Sequence, residues 1–523
     1  MKNRKLIFYN IIGIAVIIYA VILLYGMTAA SLSEVSVPNE FQEVTNILLT
    51  QDLLNGINPY SLKEAFGGDV PGLLYAYGPI YSLIVAPFAR IFPEKLIFLH
   101  YLVSFLAMLM IAFLGAWMVK EKTETLAAPA AAFVLLINCT WRYGYINAVP
   151  DTLGLFWMML ALFIETREKC LRRELWEIIV IILAFYTKIY MAYIAIPLFV
   201  YKLITDHRAA ARFTIYGVVL MGAVSAVVTI MCPLYWTYTI YFLHGPWNAQ
   251  GGEPGYEMLQ LRSLGGIFLF FFIVSLLAVL EQVKHRFKDV SKTVLLLIVD
   301  LIVSIPVMHV LGANDGAWLS YYLQIQIPPL VMLSLIYIEN KCIETSSVYR
   351  RYAWGAFLFV MLSFTILRTG QRLPYYYMEP EQKKLWDDVY GLIDEYTEKG
   401  EVYYSPILTY HAIDDHQYFY NSGYVGVANE DFYDEYLNTK WQQTLFPYAG
   451  KVMKKNLEYK RELEEKIRNG GYSLIAVIEG KDGTDRAIRV SAIEDGPYRL
   501  LREVGMPVSR VNYALKFYVR EDD

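Results

Sequence analysis

Cysteine is scarce in this chain of 523 residues, with only Cys139, Cys170, Cys232 and Cys342. No two of them form a Cys-x-x-Cys pair, and the hydrophilic residues 370–523 contain none. That spacing excludes a disulfide framework and a zinc site. Charge is scarce as well: 18% of residues are Asp, Glu, Lys or Arg, and the net charge is −4. Without a basic field the chain has no electrostatic footprint for nucleic acid. Internal repeats and low-complexity stretches are also missing, so the sequence shows no symmetry of the kind expected of a transporter built from inverted halves.

Apolar runs are what the chain has in abundance, with 56% hydrophobic residues and a positive mean hydropathy. They fall at 6–26, 79–92, 96–119, 124–141, 150–166, 175–187, 189–204, 213–235, 263–281, 293–311, 318–338 and 352–369. Many approach the roughly 20 residues that a bilayer core demands, which excludes a soluble globule. The run behind MKNRK is longer than a signal-peptide core and reads as an uncleaved anchor. The 43 tyrosines suit membrane interfaces and polar cavity walls.

Charge bias decides which runs cross. PIYSLIVAPFARIF, 79–92, would reach only about 21 Å as a helix, against a core of roughly 30 Å, and it carries Pro87 and Arg90. If it lies against the outer face, the N-terminal tail and the loops around 120–122, 167–173, 202–212, 284–292 and 341–351 all face the cytoplasm. That distribution obeys the positive-inside rule, whereas a crossing 79–92 inverts it. The expected architecture is an all-α polytopic membrane domain, 1–369, with about 11 transmembrane helices, a cytoplasmic N-terminus and an outer loop at 27–95. A small extracytoplasmic α/β domain, 370–523, follows it. The expected location is a bacterial plasma membrane.

Basic loops flank 175–204 on both sides, so this stretch must go out and return on arms of roughly 20–24 Å. Its tip, FYTKIY, would then lie below the outer surface, where irregular backbone is tolerated only beside a cavity. Lys188 is placed at that cavity's floor. In the tail, 380–400 and 450–471 read as helices ending in glycine. The stretches 401–408, 472–480 and 511–519 read as strands of a small, mainly parallel sheet.

Five outer stretches gather groups that could carry chemistry. They are 28–78, with Glu40, Glu43 and Tyr77; 139–151, with Arg142 and Asp151; the tip at Lys188; 236–262, with His244, Trp247, Asn248 and Arg262; and 312–324, with Asp315, Tyr321 and Tyr322. A carboxylate can take the proton of an attacking hydroxyl. A lysine or arginine can neutralise a departing phosphate. Aromatic faces can pack on sugar rings. Nucleotide sugars are cytosolic, so an outward site calls for a lipid-phosphate sugar. Each group also has a plainer role: Glu40, Glu43 and Asp151 as first-turn helix acids, Lys188 as a snorkelling side chain, Arg142, Trp247, Tyr321 and Tyr322 as membrane-interface anchors. Asp300, inside a run toward the cytoplasmic half and far from the outer groups, reads as a hydrogen-bonding residue within the bundle.

The stretches LLNGINPY…YAYGPIYSLIVAPFARIF, NAVPDTLGLFWMMLALF, AFYTKIYMAYIAIPLFVY and GANDGAWLSYYLQIQIPPL, in that order over about 40–340, resemble polytopic GT-C glycosyltransferases. These include protein O-mannosyltransferases and the lipid A aminoarabinose transferase. The resemblance implies transfer of a hexose or pentose, with inversion, from a polyprenyl-phosphate donor to a lipid, glycan or protein acceptor outside the cell. It implies Glu40 as the first-loop acid, with Glu43 as the alternative; the family most often has Asp there, and this chain has Asn39-Glu40. It implies Asp151 as the second-loop acid and Lys188 as the hairpin lysine. Arg142, Tyr77, Trp247, Tyr321 and Tyr322 are the further substrate-binding candidates. Two outer carboxylates are compatible with a divalent metal or with none. A flippase for a lipid-linked sugar, a polymerase of lipid-linked polysaccharide, and a surface protein acting through its tail are the rival readings.

Overall fold

The computed structural model describes residues 2–32, 41–68, 71–142, 147–167, 172–242, 256–287, 290–312, 327–344, 353–357, 360, 380–404, 429–480, 483–484, 490–505 and 514–521. The chain divides into two compact units. One comprises Met1–Ser33, Tyr101–Val224 and Gln250–Tyr376; the other comprises Glu34–His100, Ser225–Ala249 and Tyr377–Asp523.

Largely apolar composition, with a few buried polar residues among it, makes the helices of the first unit. They are α1 (Lys2–Leu32), then, after α2 (Phe41–Leu54), α3 (Leu62–Phe66) and α4 (Ile80–Ala89) of the second unit, α5 (Leu96–Lys120, in this unit from Tyr101), α6 (Ala127–Arg142), α7 (Asp151–Glu165), α8 (Arg173–Thr187), α9 (Ala195–Thr205), α10 (His207–Met231), α11 (Tyr256–Lys284), α12 (Lys292–Gly312) and α13 (Ile327–Glu344). Among the described residues, Leu6–Gly26, Pro93–Lys120 and His207–Met231 are long and apolar enough to cross a membrane. A six-residue 3-10 turn, Ile189–Ile194, joins α8 to α9.

Polar groups in this unit are satisfied where helices meet. The buried Glu339 of α13 accepts hydrogen bonds from the N–H groups of Thr125 and Ala128 at 2.9 and 3.1 Å, supplying partners for orphan donors at the start of α6. Ser275 of α11 and Ser334 of α13 hydrogen-bond at 2.9 Å across their contact, a small polar pair of the kind that joins helices in lipid.

The loops that charge bias places on one side are joined there. Arg167 pairs with Glu121, Arg212 with Glu174 at 2.7 Å, and Lys341 with Glu281. Lys202 pairs with Glu165 and, at 2.9 Å, with Glu177.

In the second unit, α2 (Phe41–Leu54) packs against α4 (Ile80–Ala89), with the five-residue α3 (Leu62–Phe66) between them in sequence. At 10 residues α4 is about 15 Å long, half of a bilayer core. Buried polar contacts fix this layer. Ser82 donates to the Asn46 carbonyl at 3.1 Å, Tyr81 donates to the His100 carbonyl at 2.7 Å, and the Thr50 hydroxyl meets His100 Nε2 at 2.8 Å.

The tail contributes α14 (Pro380–Thr397), α15 (Glu430–Asn438), α16 (Lys440–Leu445), α17 (Ala449–Arg468) and α18 (Val490–Glu494), with strands β1 (Val402–Tyr404), β2 (Leu474–Gly480), β3 (Gly483–Thr484), β4 (Tyr498–Gly505) and β5 (Ala514–Arg520). The sheet order is β1-β2-β5-β4, with β3 against β2.

The expectation of a mainly parallel sheet is corrected here. Among the described strands only β1–β2 is parallel; β2–β5, β4–β5 and β2–β3 are antiparallel. The reason is β4, which the sequence reading missed: the short β4-to-β5 connection leaves no length for the helical crossover that a parallel neighbour needs. β2 is buried through Leu474, Ile475, Ala476 and Val477, and Trp386 and Ile393 of α14 and Ile467 of α17 belong to the same core. β4 is a largely exposed edge strand with a register shift at Leu500/Arg502. Its charges and irregularity discourage pairing with another chain.

Tail and first loop touch within this unit. Lys455 Nζ donates to the carbonyls of Gly68 at 2.6 Å and Ala65 at 3.2 Å, and Lys451 Nζ lies 4.1 Å from the Phe66 ring centroid.

Candidate functional site

Two antiparallel helices of 15 residues each, α7 and α8, place the start of one beside the end of the other. Pro150 sets the entry into α7, and Asp151 is its first residue. Thr187 ends α8, and Lys188 follows with extended backbone, φ −155° and ψ 118°. The Lys188 N–H still reaches back to the Ala184 carbonyl at 2.9 Å, and its own carbonyl receives the Met191 N–H at 2.9 Å, which begins the 3-10 turn.

Lys188 is therefore a hinge between two kinds of helix, and its ammonium turns to Asp151. Nζ donates to Oδ1 and Oδ2 at 2.9 Å each. Both side chains are buried, at 8% exposure. Tyr190 adds a ring face 5.1 Å from Nζ.

Helix ends favour this pairing. A carboxylate is stabilised at a helix N-terminus and an ammonium at a C-terminus, and α7 and α8 supply both at one place. Burial of an ion pair costs desolvation that only close geometry offsets, and the bidentate contact provides it.

A close approach holds the arrangement. A Cβ on Gly154 of α7 would lie 2.8 Å from Met191 Cγ in the 3-10 turn, so glycine lets the Asp151 helix press against the turn that begins at Lys188. Ser104 of α5 donates to the Asn147 carbonyl at 2.7 Å, fixing the segment that leads into α7. Asp300 of α12 accepts a hydrogen bond from Tyr193, in the same turn. The expectation that Asp300 stands far from the outer groups is thus revised: its partner is five residues past Lys188. A 3-10 turn advances more per residue than an α-helix, and its side chains can reach toward the bundle below.

The remaining candidates are placed as follows. Glu43 lies in the first turn of α2 and is completely buried. Tyr77 is half-buried, and its carbonyl accepts the Tyr60 hydroxyl at 2.8 Å. Arg142 is the last residue of α6. Glu40, Trp247, Tyr321 and Tyr322, with His244 and Asp315, lie outside the described residues. Among the described residues no group of three or more His, Cys, Asp or Glu could hold a metal ion; Glu40, one of the two outer acids considered for one, is not among them.

No sequence family and no curated protein matches the chain. Solved structures do. ArnT from Cupriavidus metallidurans bound to undecaprenyl phosphate matches with a TM-score of 0.54 at 11% identity, over 96% of this chain and 97% of that one. The same protein in the apo state gives 0.55 at 12%, with the same coverage. The oligosaccharyltransferase of Archaeoglobus fulgidus tethered with an acceptor peptide gives 0.53 at 12%, over 94% of this chain and 79% of that one.

The chain has the GT-C fold. Within this GT-C fold the sequence located Asp151 and Lys188 separately but gave no sign that they pair, because 37 positions lie between them. It also missed Asp52 of α2. That carboxylate is buried and accepts the Tyr75 hydroxyl at 2.7 Å. Burial pushes its pKa up to about 6; the Tyr75 hydrogen bond opposes the rise and the charge of Glu64 adds to it. The signal available was an acid whose helical neighbours include Leu49, Leu53 and Leu54.

Proposed function

We propose that this chain is an integral membrane glycosyltransferase that moves a sugar from a polyprenyl-phosphate donor to an acceptor on the outer side of a bacterial plasma membrane, with inversion. The observation that carries the reading is the buried Asp151–Lys188 pair at the tip of a hairpin too short to cross, in a chain whose fold follows GT-C structures from end to end. From Arg173 on the basic side, α8 climbs only about 22 Å before it breaks at Lys188. In a core of roughly 30 Å the tip stays inside, and an ionised pair at that depth marks a ligand path. ArnT, matched over nearly its whole length, was solved with undecaprenyl phosphate bound.

In this reading about 11 helices of residues 1–369 cross the membrane. The N-terminus is cytoplasmic, and 370–523 lies outside with the first loop, with which the Lys455 contacts unite it.

The donor phosphate approaches Lys188, which turns from Asp151 to it, with Arg142 in support. Glu40 takes the proton of the acceptor hydroxyl, and the freed oxygen attacks the anomeric carbon. The bond from that carbon to the phosphate oxygen breaks, and the lipid phosphate leaves carrying the electron pair beside Lys188. Asp151 positions the acceptor, and Tyr77, Trp247, Tyr321 and Tyr322 are the candidates for sugar recognition. Glu43 has no exposed surface, which supports Glu40 as the base. The test is sugar transfer in membranes from a polyprenyl-phosphate sugar by Glu40→Gln and Lys188→Ala. Loss in both is expected; wild-type transfer by both removes the assignment.

A further inference from the structure

The turn Ile189–Ile194 is held at its two ends by carboxylates from two different helices. Asp151 of α7 grips Lys188, immediately before the turn. Asp300 of α12 accepts the hydroxyl of Tyr193, near the turn's end. Between them Met191 is pressed against Gly154. Asp300 and Tyr193 are both buried, at 2% and 6% exposure. A 3-10 turn has poorer hydrogen-bond geometry than an α-helix and is rarely stable over this length without external contacts. A carboxylate in the middle of a span is costly unless it serves something. Here it serves the turn: α12 packs along α9, the arm that follows Tyr193, so the Asp300–Tyr193 bond ties the far end of the turn to a long helix.

We infer that Asp300, acting through Tyr193, is a positioning residue that sets where the Lys188 ammonium meets the donor phosphate. When Lys188 changes partner from Asp151 to phosphate, one of the two carboxylate anchors is released. The Asp300–Tyr193 bond is then what keeps the turn from rotating with the side chain. The inference rests on the reading of Lys188 as the phosphate-holding group.

The experiment measures binding of undecaprenyl phosphate to the full chain in nanodiscs, with thermal stability recorded alongside. Tyr193→Phe deletes only the donor, Asp300→Ala the acceptor, and Asp300→Asn keeps an acceptor oxygen. Tyr193→Phe and Asp300→Ala are expected to weaken binding about tenfold, with Asp300→Asn within about twofold of wild type. In a Lys188→Ala background Tyr193→Phe is expected to add nothing, because residues that act through one another are not additive. A packing role alone would lower stability in all these variants and leave the affinity of folded protein unchanged; that result overturns the inference. So does an equal loss from Tyr193→Phe with and without Lys188. Undiminished binding by Lys188→Ala removes the phosphate-holding reading, and this inference with it. Binding that behaves as expected in a protein that transfers no sugar removes the glycosyltransferase reading and leaves the inference standing.

Discussion

The two ends of the α7–α8 pair each bury a lysine, and they bury it differently. At the basic end Lys202, in the last turn of α9, is 1% exposed and lies between Glu165 and Glu177, with Arg173 3.5 Å from Glu165. Its backbone is regular helix. At the tip Lys188 is 7% exposed, sits where one helix stops, and faces Asp151 in two equal bonds. Burial alone therefore does not mark a working lysine. The first is woven into a charge-balanced knot of regular helices; the second stands at a backbone break beside a single turn of weaker structure.

That contrast is broken or sharpened by substitution. Lys202→Ala strands two buried carboxylates and is expected to cost about 3–5 kcal/mol of stability, seen as a lower denaturation midpoint in detergent. Transfer per folded molecule should stay near wild type; a selective loss of transfer would erase the distinction.

Lys188→Met is expected to lower transfer by about 10²–10³, comparable to removing a preorganised charge donor. The double change Asp151→Leu with Lys188→Met should recover stability, as apolar replacement of buried pairs often does, without recovering transfer. Recovery of both would make the tip a structural fastener like the base.

Asp52 supplies the case of a buried acid that a hydroxyl, Tyr75, steadies. Its pKa rises from 3.8 to about 6 on folding, so between those values the folded form holds more protons than the unfolded form. Stability must then fall as pH rises through that window, by about 3 kcal/mol in total, and level off above it. Asp52→Asn should flatten the slope in denaturation measured from pH 4 to 7; an unchanged slope would assign it to another group.

The smallest effect is expected from Gly154→Ala. The added methyl meets a flexible methionine, so a stability loss of about 1–2 kcal/mol and a modest fall in transfer should follow. A loss as large as that from Lys188→Met would mean that the turn cannot yield at all.

Much of this was legible from residues. The run 96–119 became Leu96–Lys120, and the two-armed stretch with FYTKIY at its tip became α8, a 3-10 turn and α9, because bilayer length and apolar periodicity leave little choice. Two tail helices, α14 and α17, followed from charge patterning and terminal glycines, while the short α15, α16 and α18 did not. β4 did not, since YRLLREVG is an edge strand with a register shift and exposes most of its length, so it lacks the alternation that marks a half-buried strand. Nor did the two lysine environments. Lys202 reads as one more basic loop residue, and nothing in a linear pattern tells which carboxylate, 37 positions away in either case, it will meet. Of the candidate site, Asp151 and Lys188 were named as candidates from the sequence, and their pairing was not.

Lys451 and Lys455, reaching from α17 to Phe66, Ala65 and Gly68, make the tail a buttress for the segment that follows α2. A chain cut before residue 380 would keep its greasy helices yet leave two carbonyls and an aromatic ring there without their cations. Loss of activity in such a truncation would thus report a slackened first loop as readily as a missing docking surface.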